Sequence, residues 1–438
     1  MADRRLPILV PNLPQQRFRC HGCTNCCRDI VVHLTAADRR KIDEQGWADR
    51  LDVQPYVRLG RGWVLSQTTD NRCVFLMSDG KCRIHAEHGA SAKPLGCQLF
   101  PFVLLPADGA WQLSTRFDCP SMAASKGDPI GTHVAGLKRL AAELPGTDRR
   151  ARAIKIRQGR PASESEVQHL VGALDHRLSR KAHSLSRRLR ELRHIADTLA
   201  DLNIHQVREK RFVELIDLLF GALDSELTDS GHPPPTSRQH KLLRQQVFTH
   251  CQAITVTEAL GGWRVKTARM ISQFFRSRRF TALGGAAPPS IVTAKIVPFA
   301  DINAVSPAKR QAAEVEELVI RYLRGQILSR SFFGPQFYGW DMVTGLRSLL
   351  SRVAVWGFLA RYYAAAEDKA EIDLDCTIRA IGIIARAAGI SKALGGRTEL
   401  MRLSYLQSNH GFERLMNAYP LVCGGDATAE AAEIAEKD

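Results

Sequence analysis

Eight of the eleven cysteines fall between Cys20 and Cys119, at spacings suited to holding metal. The first four form Cys20-His-Gly-Cys23-Thr-Asn-Cys26-Cys27, a C-x2-C-x2-C-C run. A C-x2-C step lets two thiolates from one tight turn meet the same ion, and Gly22 permits that turn. Cys73 and Cys82 then flank Asp79-Gly80, Cys97 follows Lys93-Pro94, and Cys119 precedes Pro120. This set can supply one or two tetrahedral zinc sites, or one 4Fe–4S cluster with ligands to spare. Extended neighbours point to opposite sides, so Cys26 and Cys27 either serve different sites or divide into one ligand and one packing residue. Spacing does not fix the partners. His21, His85 and His88 read as surface or outer residues rather than ligands, with His85 the best placed of the three.

Two familiar iron–sulfur patterns are not met. A bacterial ferredoxin run, C-x2-C-x2-C-x3-C-P, is matched at three positions, but Ile30 stands where the fourth cysteine belongs. The C-x3-C-x2-C run of radical S-adenosylmethionine enzymes does not occur.

The elements that must position the cysteines follow from pattern. Residues 1–125 carry short strand-like pieces at Ile30–Leu34 and Gly62–Leu65, and a helix from Thr35 to about Gln45. Asp108-Gly109 divides a hairpin of Phe102–Pro106 and Trp111–Phe117. Residues 126–223 turn helical and basic. Leucines and Ile195 recur at helical spacing from Leu170 to Leu199, interleaved with Arg177, Arg180, Lys181, Arg187, Arg188, Arg190 and Arg193. Residues 224–238, with Gly231-His-Pro-Pro-Pro235, form a linker or loop. Residues 239–425 form a helical C-terminal domain. Its helices are expected near 240–280, from Ser306-Pro307 to Arg330, at 340–366 and at 371–388. A tail occupies 426–438. The fold class is α+β: a small cysteine-rich metal-binding domain with short strands, then a mainly α-helical domain.

Composition sets outer limits. The 438 residues suggest two or three domains, and 45% hydrophobic with 24% charged residues is ordinary for a globular chain. No run reaches the roughly 18 apolar residues of a membrane span, and the apolar stretch near Leu6 to Val10 is too short for a signal-peptide core. The expected location is therefore cytoplasmic, where reductants keep thiols open for metal. A net charge of +16 favours nucleic acid, an anionic membrane surface or an acidic protein, unless the arginines simply solvate helices. The Arg-rich 177–193 stretch lacks a base-reading motif and licenses only non-specific nucleic-acid affinity.

The cysteine run is followed by Cys73-x-Phe-Leu-x2-Asp-Gly-x-Cys82-x-Ile-His and Lys93-Pro-x2-Cys97-x2-Phe-Pro-Phe102. Together they resemble the CxxCxxCC zinc- or iron-chelating domain family, to which the flagellin lysine N-methylases belong. The resemblance covers about residues 18–122. The stretches Tyr322–Ile327, Phe332-Phe-Gly334 and Leu346–Tyr363 are similar to the helical half of the methylases. The resemblance implies an iron–sulfur cluster on Cys20, Cys23, Cys26, Cys27, Cys73, Cys82, Cys97 and Cys119. It also implies methyl transfer from S-adenosylmethionine to a lysine of an acidic protein substrate such as flagellin. The alternative is a non-catalytic zinc- or iron-binding module whose basic helices engage an acidic partner.

A lysine amine must lose its proton before attacking a methyl sulfonium. Tyr322, Tyr338 and Asp341, with Tyr362 and Tyr363, are the proton acceptors offered by the C-terminal half. The aromatic group of Phe332, Phe333, Phe337, Tyr338 and Trp340 reads as core or groove wall. No glycine-rich strand-to-helix turn marks a nucleotide site; Leu260-Gly-Gly262 and Leu283-Gly-Gly285 read as helix stops.

Overall fold

The computed structural model describes residues 6–13, 15–28, 30–107, 109–144, 154–227, 233–252, 256, 260–282, 284–289 and 291–423. The expected tail 426–438, residues 228–232 of the expected loop, and Asp108 and Leu283 of the expected turns lie outside the described residues. The chain forms two compact units. One comprises Met1–Val10, Pro14–Asp148 and Gln252–Arg276; the other comprises Pro11–Leu13, Arg149–Cys251 and Ser277–Asp438. The fold is α+β, with short strands in the cysteine-rich part and helices dominating beyond it.

In the first unit, Gly62–Leu65 is the central strand of a three-stranded antiparallel sheet, between His33–Leu34 and Tyr56–Leu59. Leu59 pairs with Gly62 across a two-residue loop. Gly60 there has a φ of 60°, which a side chain would resist and the strand twist favours. The expected strand at Ile30–Leu34 is confined to His33–Leu34. The expected hairpin is present as Phe102–Ala107 and Ala110–Thr115, and Ile8–Leu9 adds to it in parallel.

The helix Ala36–Glu44 begins at a capping box that also positions a cysteine. Thr35 Oγ1 accepts from the Asp38 amide at 3.0 Å, and Asp38 Oδ2 accepts from the Thr35 amide at 2.9 Å. The other carboxylate oxygen, Oδ1, accepts from the Leu95 amide at 2.8 Å. Leu95 opens the short helix Leu95–Leu99 that carries Cys97. Below these elements lies a core of Ile42, Trp47, Leu65, Phe75 and Ile84, with Cys73, Cys82 and Cys97 packed on it. Trp47 and Phe75 meet edge to face with ring centres 5.4 Å apart.

The second unit is organised around Met342–Ala366, a helix buried on nearly every side. Such a helix must lie inside a bundle. Here Leu185–Asp201, Ser237–His250, Leu374–Ala387 and Gly411–Ala418 surround it. Gly345 and Gly357 make this possible. A Cβ at either would fall on a backbone carbonyl, that of Phe332 or of Tyr419.

Several sequence expectations change here. The leucine-periodic stretch is two helices, Glu164–Leu178 and Leu185–Asp201, parted by a turn before the Ser184 cap. Its cations do not form a solvent-facing stripe. Arg177, Arg188 and Arg193 are buried, and of the seven basic residues Lys181 alone is exposed. Arg177 bonds both Glu191 and Asp224, Arg188 bonds Glu316, and Arg193 bonds Asp197. Carboxylates hold those guanidiniums in place, Glu191 from the interior and Asp197, Asp224 and Glu316 from nearer the surface. The expected helix over 240–280 resolves into Ser237–His250 and Trp263–Thr281. The expected helix from Ser306 starts only at Ala312 and ends at Leu328. Ser306 is instead extended, donating to the Ala370 carbonyl at 2.9 Å and accepting from the Ile372 amide at 3.0 Å. Arg397–Ser408 and Gly411–Ala418 are helices the periodicity did not announce. Among the described residues, no helix is long and apolar enough to cross a membrane.

Two outcomes follow. Asp38→Ala removes a cap and the bond to Leu95 together, and is expected to lower stability by about 2 kcal/mol in urea unfolding; a loss no larger than a lone cap's would deny the second bond any weight. Asp224 is held at about 2, below its ordinary 3.8, chiefly by its hydrogen bond from Arg177. A carboxylate lowered in this way stabilises fully above its ordinary value and loses the effect as pH falls from about 4 to about 2. Asp224→Asn is expected to flatten that part of the stability–pH curve.

Candidate metal centre

Three separate chain segments converge on the thiols. The first, the Cys20–Cys27 loop, bends through positive φ at Gly22 (71°) and Thr24 (62°), then closes a 3-10 turn over Asn25–Cys27. Asn25 Nδ2 donates to the Asp118 carbonyl at 2.6 Å, and His21 Nδ1 is hydrogen-bonded to Ser121 Oγ. These bonds tie the loop to both sides of Cys119. The Cys27 carbonyl accepts from the Cys73 amide at 2.9 Å, hooking the second segment to the first.

The second segment returns on itself at Asp79-Gly80. The Met77 amide donates to the Lys81 carbonyl at 2.9 Å, Asp79 Oδ1 accepts from the Lys81 amide at 3.0 Å, and Gly80 has a φ of 82°. The turn brings Cys82 back beside Leu76, at the start of the helix Arg83–His88. The third segment, through Cys97, is fixed by Asp38 as described above. Gly96 on this helix lies beside Val32.

The thiols lie near enough to act on one another's charge: Cys73 with Cys97, Cys82 and Cys26, Cys97 with Cys82 and Cys26, and Cys119 with Cys23 and Cys26. Cys26 Sγ lies 3.9 Å from Cys27 Sγ. Cys26 therefore joins a group of Cys73, Cys82 and Cys97 to a group of Cys23 and Cys119. Cys20 is exposed at the mouth of the loop. Cys251, Cys376 and Cys423 belong to the other unit. His85 and His88 are exposed, and His88 packs its ring on Trp47.

Burial pushes the thiols of Cys73 and Cys97 up to about 12, with Lys93 opposing the effect at Cys97. Cys119 rises to about 11, burial outweighing the amides of Met122 and Ser121. Cys26 is raised first by its hydrogen bond with Cys27 and then by burial. Thiols clustered in an apolar wall are a soft donor set. A soft cation would convert them to thiolates and release their protons. Sulfur-rich donors select zinc or iron–sulfur over magnesium or calcium. The donor set fits such a metal.

Spacing adds a constraint. Around one zinc, tetrahedral sulfurs sit about 3.8 Å apart, given a Zn–S length of about 2.3 Å. Among the described residues, no three cysteine sulfurs lie within 4.8 Å of one another. His183, Glu191 and Asp224 do meet that limit. Arg177 bonds both of those carboxylates, however, so the cation position is already taken by a guanidinium.

The residues weighed for proton transfer lie in the second unit. Tyr322 is buried, and its hydroxyl accepts from Arg352 Nη1 at 3.1 Å. Asp341 caps the central helix, accepting from the Thr344 amide at 2.8 Å and the Thr344 hydroxyl at 3.1 Å. Tyr362 and Tyr363 are pushed above the usual phenol range by burial. Tyr338 has a φ of 57°, uncommon for a bulky residue, and its ring packs on Gly395. It lines a small cleft with Gln246, His250, Phe337, Arg352 and Glu399. His250 Nδ1 donates to the Gln246 carbonyl at 2.9 Å, which leaves Nε2 as a lone-pair acceptor. His250 Nε2, Gln246 Oε1 and Arg352 Nη2 are buried without a protein partner. Of its lining, the sequence singled out Phe337 and Tyr338 alone; Gln246 and His250 lie one turn apart on Ser237–His250, and their meeting with Arg352 and Glu399 from two other helices is tertiary.

Residues 19–120 match the CxxCxxCC family model, described as a "Putative zinc- or iron-chelating domain". Metal binding by this cysteine-cluster domain is what the match supports. An uncharacterized protein of Methanocaldococcus jannaschii is 29% identical over 112 residues, 25% of this chain and 38% of that protein. The chain thus spans well under two thirds of that relative. No solved structure matches.

Cys73→Ser or Cys97→Ser is expected to remove most bound metal by elemental analysis of the purified protein, whereas Cys251→Ser keeps it. Equal metal in all three variants would place the ion elsewhere.

Proposed function

We propose that the cysteine domain holds an iron–sulfur cluster, with Cys26, Cys73, Cys82 and Cys97 as its inner ligands. Cys20, Cys23, Cys27 and Cys119 are then the remaining ligands or their neighbours. The observation that carries this is the gathering of these four thiols with Cys23, Cys27 and Cys119 close by. That is more sulfur than one tetrahedral zinc takes, and it suits a cluster carried by four cysteines. The zinc reading keeps one observation in its favour, the 3.9 Å between Cys26 and Cys27.

On the resemblance of its motifs to the flagellin lysine N-methylases, the chain acts as an S-adenosylmethionine-dependent protein-lysine N-methyltransferase. The bound cluster supplies Lewis-acid and redox capacity. The second unit supplies handling of the amine. A lysine entering the cleft meets the buried charge of Arg352, which disfavours an ammonium there. Burial drives His250 down to about 3, so its imidazole stays neutral at physiological pH. Its Nε2 and Gln246 Oε1 accept the N–H bonds of a neutral amine and orient it. The Phe337 and Tyr338 rings wall the cleft.

Anaerobic purification tests the first part. The expected product is coloured, contains iron with acid-labile sulfide, and bleaches with dithionite; colourless protein holding only zinc would end the cluster proposal. Mass spectrometry of an acidic acceptor protein incubated with S-adenosylmethionine tests the second. His250→Gln is expected to lower methyl transfer roughly 100-fold with metal content unchanged. An acceptor left without added methyl groups by metal-loaded protein would remove the transferase reading.

A further inference from the structure

The helix Trp263–Thr281 carries a surface that neither metal binding nor methyl transfer uses. Over Trp263–Arg276 it holds Arg264, Lys266, Arg269 and Arg276, and no acidic residue. Trp263, Met270, Ile271, Phe274 and Phe275 are between 51% and 72% exposed. Large apolar side chains at such exposure, grouped on one element, mark an interaction face.

Their arrangement narrows the partner. Trp263, Met270 and Phe274 follow one line along the helix, and Ile271 and Phe275 form the adjacent row. At 3.6 residues per turn the two rows span an arc of about 140°. Lys266 flanks this arc on one side, Arg264 falls within its far half with its guanidinium 5.6 Å from the Trp263 ring, and Arg269 and Arg276 lie on the opposite face. A helix that docks in a protein groove presents a narrow line of anchors. A broad apolar arc with an indole at one end, set against a polar face that carries cations and no carboxylate, matches a helix lying in a lipid interface. Arginine and lysine stems can bury along such an arc while their charges reach the headgroups. A second copy of this chain, at +16, would be repelled.

We propose that Trp263–Arg276 is a peripheral docking helix for an anionic bilayer surface, lying on the membrane rather than crossing it. The apolar rows enter the headgroup–acyl boundary, and the cations select acidic lipids. The proposal is independent of the metal's identity and of the transferase reading.

Flotation of the full chain with vesicles tests it. One set is phosphatidylcholine alone; the other mixes phosphatidylcholine and phosphatidylglycerol at roughly three to one. The expected result is flotation with the mixed vesicles only, weakening as salt is raised. The Phe274→Ser, Phe275→Ser double variant is expected to lose about tenfold or more in partitioning, and Lys266→Gln about fivefold. The replaced side chains are exposed, and an unchanged circular dichroism spectrum and melting temperature verify the fold. Failure of the wild type to float at low salt overturns the proposal, as does a double variant that floats unchanged. Apolar-dependent binding to an acidic polypeptide without flotation overturns it in favour of a protein partner.

Discussion

Gathering several thiols inside an apolar wall is the constraint on which the first unit depends. Each neutral sulfhydryl tolerates that wall, but the ionised form is strongly disfavoured there, as the elevated values at Cys73, Cys97 and Cys119 register. A cation reverses the preference, because it takes the thiolates as ligands. Hydrophobic contacts pack Cys73, Cys82 and Cys97, partly buried, against the core of Trp47 and Phe75. In the proposed cluster, folding and metal loading share these side chains. The loop of Cys20–Cys27 meets this wall from the outside, through backbone bonds and Asn25 rather than apolar packing.

The second unit solves a different problem with different means. Its central helix is buried on nearly every side, so its neighbours approach through glycine, and several buried charges elsewhere in the unit are paired. Arg177 with Glu191 and Asp224, and Arg160 with Glu166, show this pairing deep in the bundle. Removing one partner of such a pair leaves a buried charge and costs about 3–5 kcal/mol. His250 Nε2, Gln246 Oε1 and Arg352 Nη2 are distinguished by lining one cleft together, where a polar ligand would meet all three.

Local features of both units could be read directly from residue order. The Thr35 cap with Asp38, the Asp79-Gly80 turn, the hairpin around Gly109, and the helices at 342–366 and 374–387 each rest on interactions spanning a few residues. What escaped reading is tertiary. The second oxygen of Asp38 reaches Leu95, far along the chain. Ser306-Pro307 has the chemistry of a helix start, yet pairing with Ala370 and Ile372 holds it extended. The arginines of 177–193 carry a surface-like composition, and only the fold reveals the carboxylates that draw them inward. The cysteines were identifiable as a set. Their grouping around Cys26 depends on three segments meeting and cannot be inferred from spacing.

The first unit is discontinuous. Val256, from the late segment, is buried, and its amide donates to Gln67 Oε1 at 3.3 Å, while Gln67 Nε2 donates to the Ile30 carbonyl at 3.2 Å. A ribosome making this chain delivers every cysteine of the cluster long before it delivers that closing piece. Between Asp148 and Gln252 lie roughly 100 residues, or about 5 to 20 s of synthesis. Throughout that interval the first unit lacks the bond from Val256 to Gln67, so its native contacts are complete only after the chain has passed through the whole of 149–251.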